Sequence, residues 1–203
     1  MGWDSAEIEG DATWLYRRAG VDPGTPAPLL WLATELLGPG RVIAAPSLRE
    51  PGGACLVRVN GQARIYYRQR MPPVLRDFAV GHELAHWLLA DRIVGERDTE
   101  DACDYLAAAL IAPRVAFLKA VQRHGARFTR LAKAFATSES LVALRYGETT
   151  LEPLALVAPR SVRVRGAEYS WPAEAELRAA GPRPGLRKAV LRDERRRSAF
   201  RAR

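Results

Sequence analysis

Arg76-Asp77-Phe78-Ala79-Val80-Gly81-His82-Glu83-Leu84-Ala85-His86-Trp87-Leu88-Leu89 holds two of the three histidines in a chain of 203 residues. Pro72-Pro73 stands just before it. Proline is tolerated in the first turn of a helix, where its missing N–H has no intrahelical partner, so the pattern predicts a helix over 73–90. Positions i and i+4 of a helix stand on one face, one turn apart. His82 and His86 can therefore offer two imidazole nitrogens to one tetrahedral zinc ion. Glu83 lies about 100° around the helix from His82, where its carboxylate reaches water at the metal without being a ligand, the place of a general base. Phe78, Val80, Ala85, Leu88 and Leu89 supply apolar packing for such a helix.

A catalytic zinc takes three protein ligands and keeps a fourth position open. The next apolar-periodic stretch predicts a helix over 99–111, ending at Ala112-Pro113. It offers Glu100 as the third ligand, with Glu96 and Asp101 as rivals. Asp104, one turn after Glu100, is placed to hydrogen-bond the second ring nitrogen of a ligand histidine. Glu100, Asp98 and Asp101 also read as favourable charges at a helix N-terminus. His124, the third histidine, reads as a surface residue at a helix end.

These two segments together resemble the ImmA/IrrE family of metallopeptidases. Arg76 to Leu89 looks like the family's zinc helix, and Glu100-Asp-Ala-Cys-Asp104-Tyr-Leu-Ala107-Ala-Ala-Leu-Ile-Ala-Pro113 looks like its second segment. The resemblance covers residues 30–115. It implies zinc ligands His82, His86 and Glu100, with Glu83 as the catalytic base. Cys103, Asp104, Leu106 and Ala112 depart from the usual Ala, Asn, Phe and Met; Asp104 is the residue type that zincins of the wider Glu-ligand class place there, and the other three changes touch packing rather than the ligands. Tyr66, Tyr67, Tyr105 and Arg76 are candidates for the oxyanion donor or substrate contacts. A substrate peptide is expected to add as a strand at a sheet edge near Arg64–Arg68.

Upstream, helices are expected over 6–19 and 27–37, the second stopped by Gly38-Pro39-Gly40. Three short strands follow: Val42–Ala45, Ala54–Val59 and Arg64–Arg68, with Asn60-Gly61 as a hairpin turn. The expected fold class is α+β, a zincin-like helical core with a small antiparallel β-sheet packed on the HExxH helix. Downstream, two or three short helices fill 114–146. Phe128 to Phe135 and Glu139 to Tyr146 resemble a helix-turn-helix with Ser138 as N-cap. In that element Lys133, Ser140 and Arg145 would face phosphate, or the pair simply packs as a helical hairpin. Further on, Val162–Arg165 reads as a strand and Ala173–Ala180 as a helix, and residues from Gly181 onward as poorly ordered. The expected organisation is a peptidase domain over 1–124, a helical extension over 125–150 and a basic C-terminal region, partly disordered, over 151–203.

Composition sets the remaining bounds. Apolar residues make up 48%, enough for one real core, which excludes a wholly disordered chain. The net charge of +8 resides entirely in residues 160–203; residues 1–159 carry 18 basic and 18 acidic side chains. An Arg, Ala, Pro and Gly bias runs through the whole chain, so this tail reads equally as a solvated segment or as a weak nucleic-acid contact. Cys55 and Cys103 are too few for a disulfide scaffold and form no CxxC pair. The apolar runs are too short to span a bilayer and no targeting segment is visible, so no membrane partner and a cytoplasmic location are expected.

The leading expectation is a zinc-dependent regulatory endopeptidase, and the family resemblance implies a DNA-binding, helix-turn-helix repressor as its substrate. The competing reading is a DNA- or repressor-binding regulator of a stress, mobile-element or toxin–antitoxin system, with a non-catalytic metal site.

Overall fold

The computed structural model describes residues 3–90, 92–93, 95–150, 154–158, 161–165 and 187–190. The chain divides into two compact units, the first running to Phe117 and the second starting at Leu118.

The first unit opens with α1 (Ser5–Arg18), capped by Asp4, whose carboxylate accepts from the Ala6 N–H at 2.8 Å. Ile8, Ala12, Leu15 and Tyr16 are its buried stripe. Helix α2 (Leu29–Leu37) ends at Gly38, whose φ of 103° is a conformation open to glycine. Strands β1 (Val42–Ala45), β2 (Ala54–Val59) and β3 (Gln62–Arg68) form one sheet. Asn60 and Gly61 between β2 and β3 have φ values of 50° and 75°, the left-handed pair that an Asn-Gly hairpin turn requires.

The sheet is mixed, where an antiparallel one was expected. Its order is β1-β3-β2, with β2 antiparallel and β1 parallel to β3. The middle place goes to the strand with the most deeply buried side chains: Ile65 is fully buried and Ala63 nearly so. Strand β3 is therefore hydrogen-bonded on both sides and offers no edge at Arg64–Arg68 to a peptide; β2 and β1 are the edges.

Helix α3 (Pro73–Leu89) starts from Pro72 with proline at its first position, as its sequence predicts. It packs against β2, β3, α2 and α4 (Glu96–Ile111). Helix α4 begins three residues earlier than its periodicity suggests, because Gly95 (φ 106°) turns the chain directly into the helix. Val80, Leu84, Leu89, Leu106 and Leu110 are fully buried, each contributing roughly 1.5–3 kcal/mol on leaving water. Helices α3 and α4 approach closely at Gly81. A Cβ there would stand 2.7 Å from Leu29 Cδ2 and 3.3 Å from Ala107 Cβ. Glycine facing alanine lets the two helix backbones come together beside His82.

Helix α5 (Arg114–His124) crosses the division between the units. In the second unit, α6 (Phe128–Ala134) and α7 (Glu139–Thr150) form the expected helical pair. Ser138 Oγ accepts from the Leu141 N–H at 3.1 Å and caps α7, as read from the sequence. Arg145 does not face solvent, contrary to its expected place on a phosphate-binding face. It is fully buried, with Nη1 3.8 Å from Glu148 Oε2. Leu141 through Gly147 are buried without a break, so this part of α7 is enclosed all round and offers no surface to a phosphate. Strands β4 (Leu154–Ala158), β5 (Ser161–Arg165) and β6 (Arg187–Val190) form a second sheet in the order β5-β4-β6. The strand read at Val162–Arg165 is thus present, while β6 lies in a stretch where none was expected. The helix expected over Ala173–Ala180 lies outside the described residues. Among the described residues, no helix is long and apolar enough to cross a membrane.

Candidate metal centre

His82 and His86 project from one face of α3, and α4 brings Glu100 to them. His82 Nε2 and His86 Nε2 are 3.0 Å apart. Glu100 Oε2 is 3.3 Å from His82 Nε2, and Glu100 Oε1 is 3.2 Å from His86 Nε2. Among the described residues these three are the group of potential ligands close enough to share one ion. The rivals Glu96 and Asp101 are exposed and stand outside it.

Two features of this cluster fit a metal. Donor atoms about 2.0–2.1 Å from a tetrahedral ion stand roughly 3.3 Å from one another, close to the three separations seen here. The second is the tautomer of His82. Its Nδ1 lies 2.9 Å from Asp104 Oδ1, and a carboxylate only accepts, so Nδ1 carries the hydrogen and, in the neutral imidazole, Nε2 presents a lone pair. That lone pair faces carboxylate oxygen and a second imidazole nitrogen, an arrangement that a cation resolves. The Glu100 side chain is 42% exposed, so the cluster opens to solvent on the α4 side.

Glu83 stands beside the trio. Its Oε2 accepts a hydrogen bond from the backbone N–H of Leu56, at 2.8 Å. Leu56 lies on β2, an edge strand, and pairs with Ile65 of β3. Burial pushes the Glu83 carboxyl above the ordinary carboxylate range, against the opposing pull of His82, His86 and the Leu56 N–H. A carboxylate with raised proton affinity is suited to take a proton from water. For His82, burial alone would lower the imidazole pKa, but the hydrogen bond and charge of Asp104, with Glu83 and Glu100, raise it on balance. The Leu56 N–H has no side-chain signature, and nothing in the sequence marks it as a partner of Glu83.

The remaining expected residues fall in different places. Tyr67 shares the covered sheet face with Ile65, whereas Tyr66 alternates to the other face. Tyr105 is turned from the cluster: it lies about 140° around α4 from Glu100, and its hydroxyl donates to Glu9 of α1 at 2.9 Å. Arg76 pairs with its neighbour Asp77 at 3.0 Å. His124 is the last residue of α5, the helix end expected for it, but it is half-buried rather than fully at the surface. Cys103 is fully buried. Burial, then the charges of Glu100, Asp104 and Glu83, hold its thiol far above the usual range.

The comparisons with known proteins agree with this geometry. The family model Peptidase_M78, described as the IrrE N-terminal-like domain, matches residues 42–146, from β1 through the helical pair. No curated protein matches the chain significantly. Among solved structures, a Mycobacterium tuberculosis transcriptional regulator aligns with a TM-score of 0.55 at 15% identity, over 70% of this chain and 46% of that one. That likeness is one of fold, and this chain spans less than half the length of that protein. The HExxH helix, the carboxylate that completes its donor trio and a family match over more than half of the sequence lead to one assignment: the chain belongs to the Peptidase_M78 (IrrE N-terminal-like) family of metallopeptidase-type domains.

Proposed function

We propose that this protein is a zinc-dependent endopeptidase of the cytoplasm that hydrolyses a peptide bond in a regulatory, DNA-binding repressor. The observation that carries the hydrolytic reading is the His82, His86 and Glu100 trio with Glu83 held beside it by the Leu56 N–H. His82, His86 and Glu100 would hold the ion. When bound there, zinc supplies Lewis acidity that acidifies water and polarises a carbonyl. Asp104 keeps His82 in the tautomer that ligates. With Oε2 engaged by Leu56, the Oε1 atom of Glu83 takes the proton of the attacking water and returns it to the leaving amine nitrogen. The outer edge of β2, from which the Leu56 N–H reaches Glu83, is where an extended substrate would align. Tyr67 is the aromatic candidate on the α3 side of the sheet. The repressor as substrate rests on the family resemblance.

Zinc content by elemental mass spectrometry and cleavage of a co-encoded repressor, in wild type and Glu83→Gln, test this reading. One zinc per chain in both proteins, with cleavage lost by a factor of about 100 to 10,000 in the variant, is the expected result. Wild type that takes up no zinc overturns it.

A second reading has its own support. No acidic residue occurs between Asp104 and Glu139, while Arg114, Lys119, Arg123, Arg127, Arg130 and Lys133 are all exposed. Such a stretch suits a phosphate backbone. DNA affinity that falls with salt and survives Glu83→Gln would favour a nucleic-acid-binding regulator.

A further inference from the structure

Helices α1 and α4 pack together although both are acidic over their first halves. Helix α1 carries Glu7, Glu9 and Asp11, and α4 carries Glu96, Asp98, Glu100, Asp101 and Asp104. Among the described side chains, the cation that reaches the acids of α1 is Arg92, in the short connector between α3 and α4. Its Nη1 lies 2.9 Å from Asp11 Oδ1 and 2.8 Å from Asp11 Oδ2, and its Nη2 donates to Glu7 Oε1. Glu7 and Asp11 are one turn apart on α1, so the planar guanidinium spans both. The Asp11 side chain is only 17% exposed, which shelters the pair from water. The Arg92 backbone N–H also bonds to the Leu89 carbonyl at 2.9 Å, so the residue is fixed to the end of the histidine-bearing helix.

Further along, the Tyr105 hydroxyl donates to Glu9. Arg92 precedes Glu100 by eight residues and Tyr105 follows it by five, and both are fastened to α1. Glu100 meets the histidines from the early turns of α4, so its carboxylate goes where that end of the helix goes.

We propose that Arg92 is a positioning residue for the metal centre: by clamping the α3–α4 connector to Glu7 and Asp11 of α1, it sets Glu100 against His82 and His86. This rests on the metal reading given above. An isolated exposed ion pair would contribute little, but a two-carboxylate, one-guanidinium network with a sheltered member holds its geometry.

The test is zinc affinity of the full chain, stripped of metal, in competition with a chromophoric chelator. The visible spectrum of the cobalt(II)-loaded protein serves as a second readout of ligand geometry. The urea midpoint of each metal-free variant corrects for any unfolded fraction. Arg92→Ala is expected to weaken zinc binding about tenfold and to lower the tetrahedral cobalt absorbance. Arg92→Lys, which keeps the charge but not the fork, should recover part of the loss. The double variant Glu7→Gln/Asp11→Asn should match Arg92→Ala and add nothing when combined with it. Should Arg92→Ala fail to fold, Asp11→Asn and Arg92→Lys carry the same comparison with smaller shifts. Zinc affinity within twofold of wild type in folded variants overturns the role of Arg92 while leaving the metal centre standing. A wild type that binds no zinc removes the metal reading and this inference together.

Discussion

Replacing Tyr16 by Phe separates the hydrogen bonds of one hydroxyl from the packing of its ring. Tyr16 is fully buried on α1. Its hydroxyl donates to the Leu110 carbonyl at 2.7 Å and accepts from the Ala27 N–H at 3.2 Å. Leu110 is the penultimate residue of α4, so its carbonyl is one of the four that a helix leaves without an internal partner. Phe fills the same volume and opens no cavity, but leaves that carbonyl unpaired at a cost of about 1–3 kcal/mol. The half-buried Ala27 N–H adds up to about 1 kcal/mol, because water can take over part of its bond. The expected loss is therefore about 1–4 kcal/mol at pH 7. Alkali gives a second signature. Burial pushes the Tyr16 phenol up to about 12 from 10.0, with the Ala27 N–H pulling slightly the other way. The pKa is raised in the folded state, so the unfolded chain ionises first. Stability from this group is complete below pH 10 and is lost as the pH rises toward 12, about 3 kcal/mol in all. Urea denaturation followed by circular dichroism, at pH 7 and in steps from 9.5 to 11.5, measures both effects. Wild type should lose stability over that range more steeply than Tyr16→Phe. A variant within about 0.5 kcal/mol of wild type at pH 7, or equal alkaline slopes, would mean that the Tyr16 hydroxyl does not stabilise the fold through these two bonds.

Asp104→Ala removes the acceptor that orients His82 and should weaken zinc binding by about 10- to 100-fold without changing the number of ions bound, measurable by chelator competition. Gly81→Val forces a branched side chain between Leu29 and Ala107, where a Cβ alone already stands 2.7 Å from Leu29 Cδ2. Thermal unfolding should show a loss of about 1–3 kcal/mol, and a stability equal to wild type would mean that the α3–α4 approach is not set by this glycine. Asn60→Val places a β-branched residue at φ 50° in the β2–β3 turn and should cost about 1–2 kcal/mol, whereas Asn60→Gly should be nearly neutral.

What could be read from the sequence was whatever depends on near neighbours in the chain. The HExxH spacing needs only helical geometry to bring His82 and His86 onto one face. Pro72-Pro73, Gly38 and Asn60-Gly61 act through their own backbone preferences and mark element ends wherever they occur. Glu100 was legible as well, because its distance from His86 and the apolar run behind it form a family pattern, although Glu96 and Asp101 remained rivals until α4 was placed. Tertiary structure decided what depends on distant pairing. Short apolar strands carry no signal for which neighbour they choose, so the parallel pairing of β1 with β3, and the move of the free edge from β3 to β2, could not be foreseen. The same holds for the side chains. The alternation of Arg145 with apolar residues reads as a helix surface, but α7 is enclosed all round from Leu141 to Gly147 and the arginine is buried with it. Tyr105 looks toward the site in sequence, yet Glu9, 96 residues earlier, takes its hydroxyl. Periodicity reports which face of an element is apolar; which partner meets that face, and which backbone N–H lies beside the Glu83 carboxylate, is set only when the elements pack.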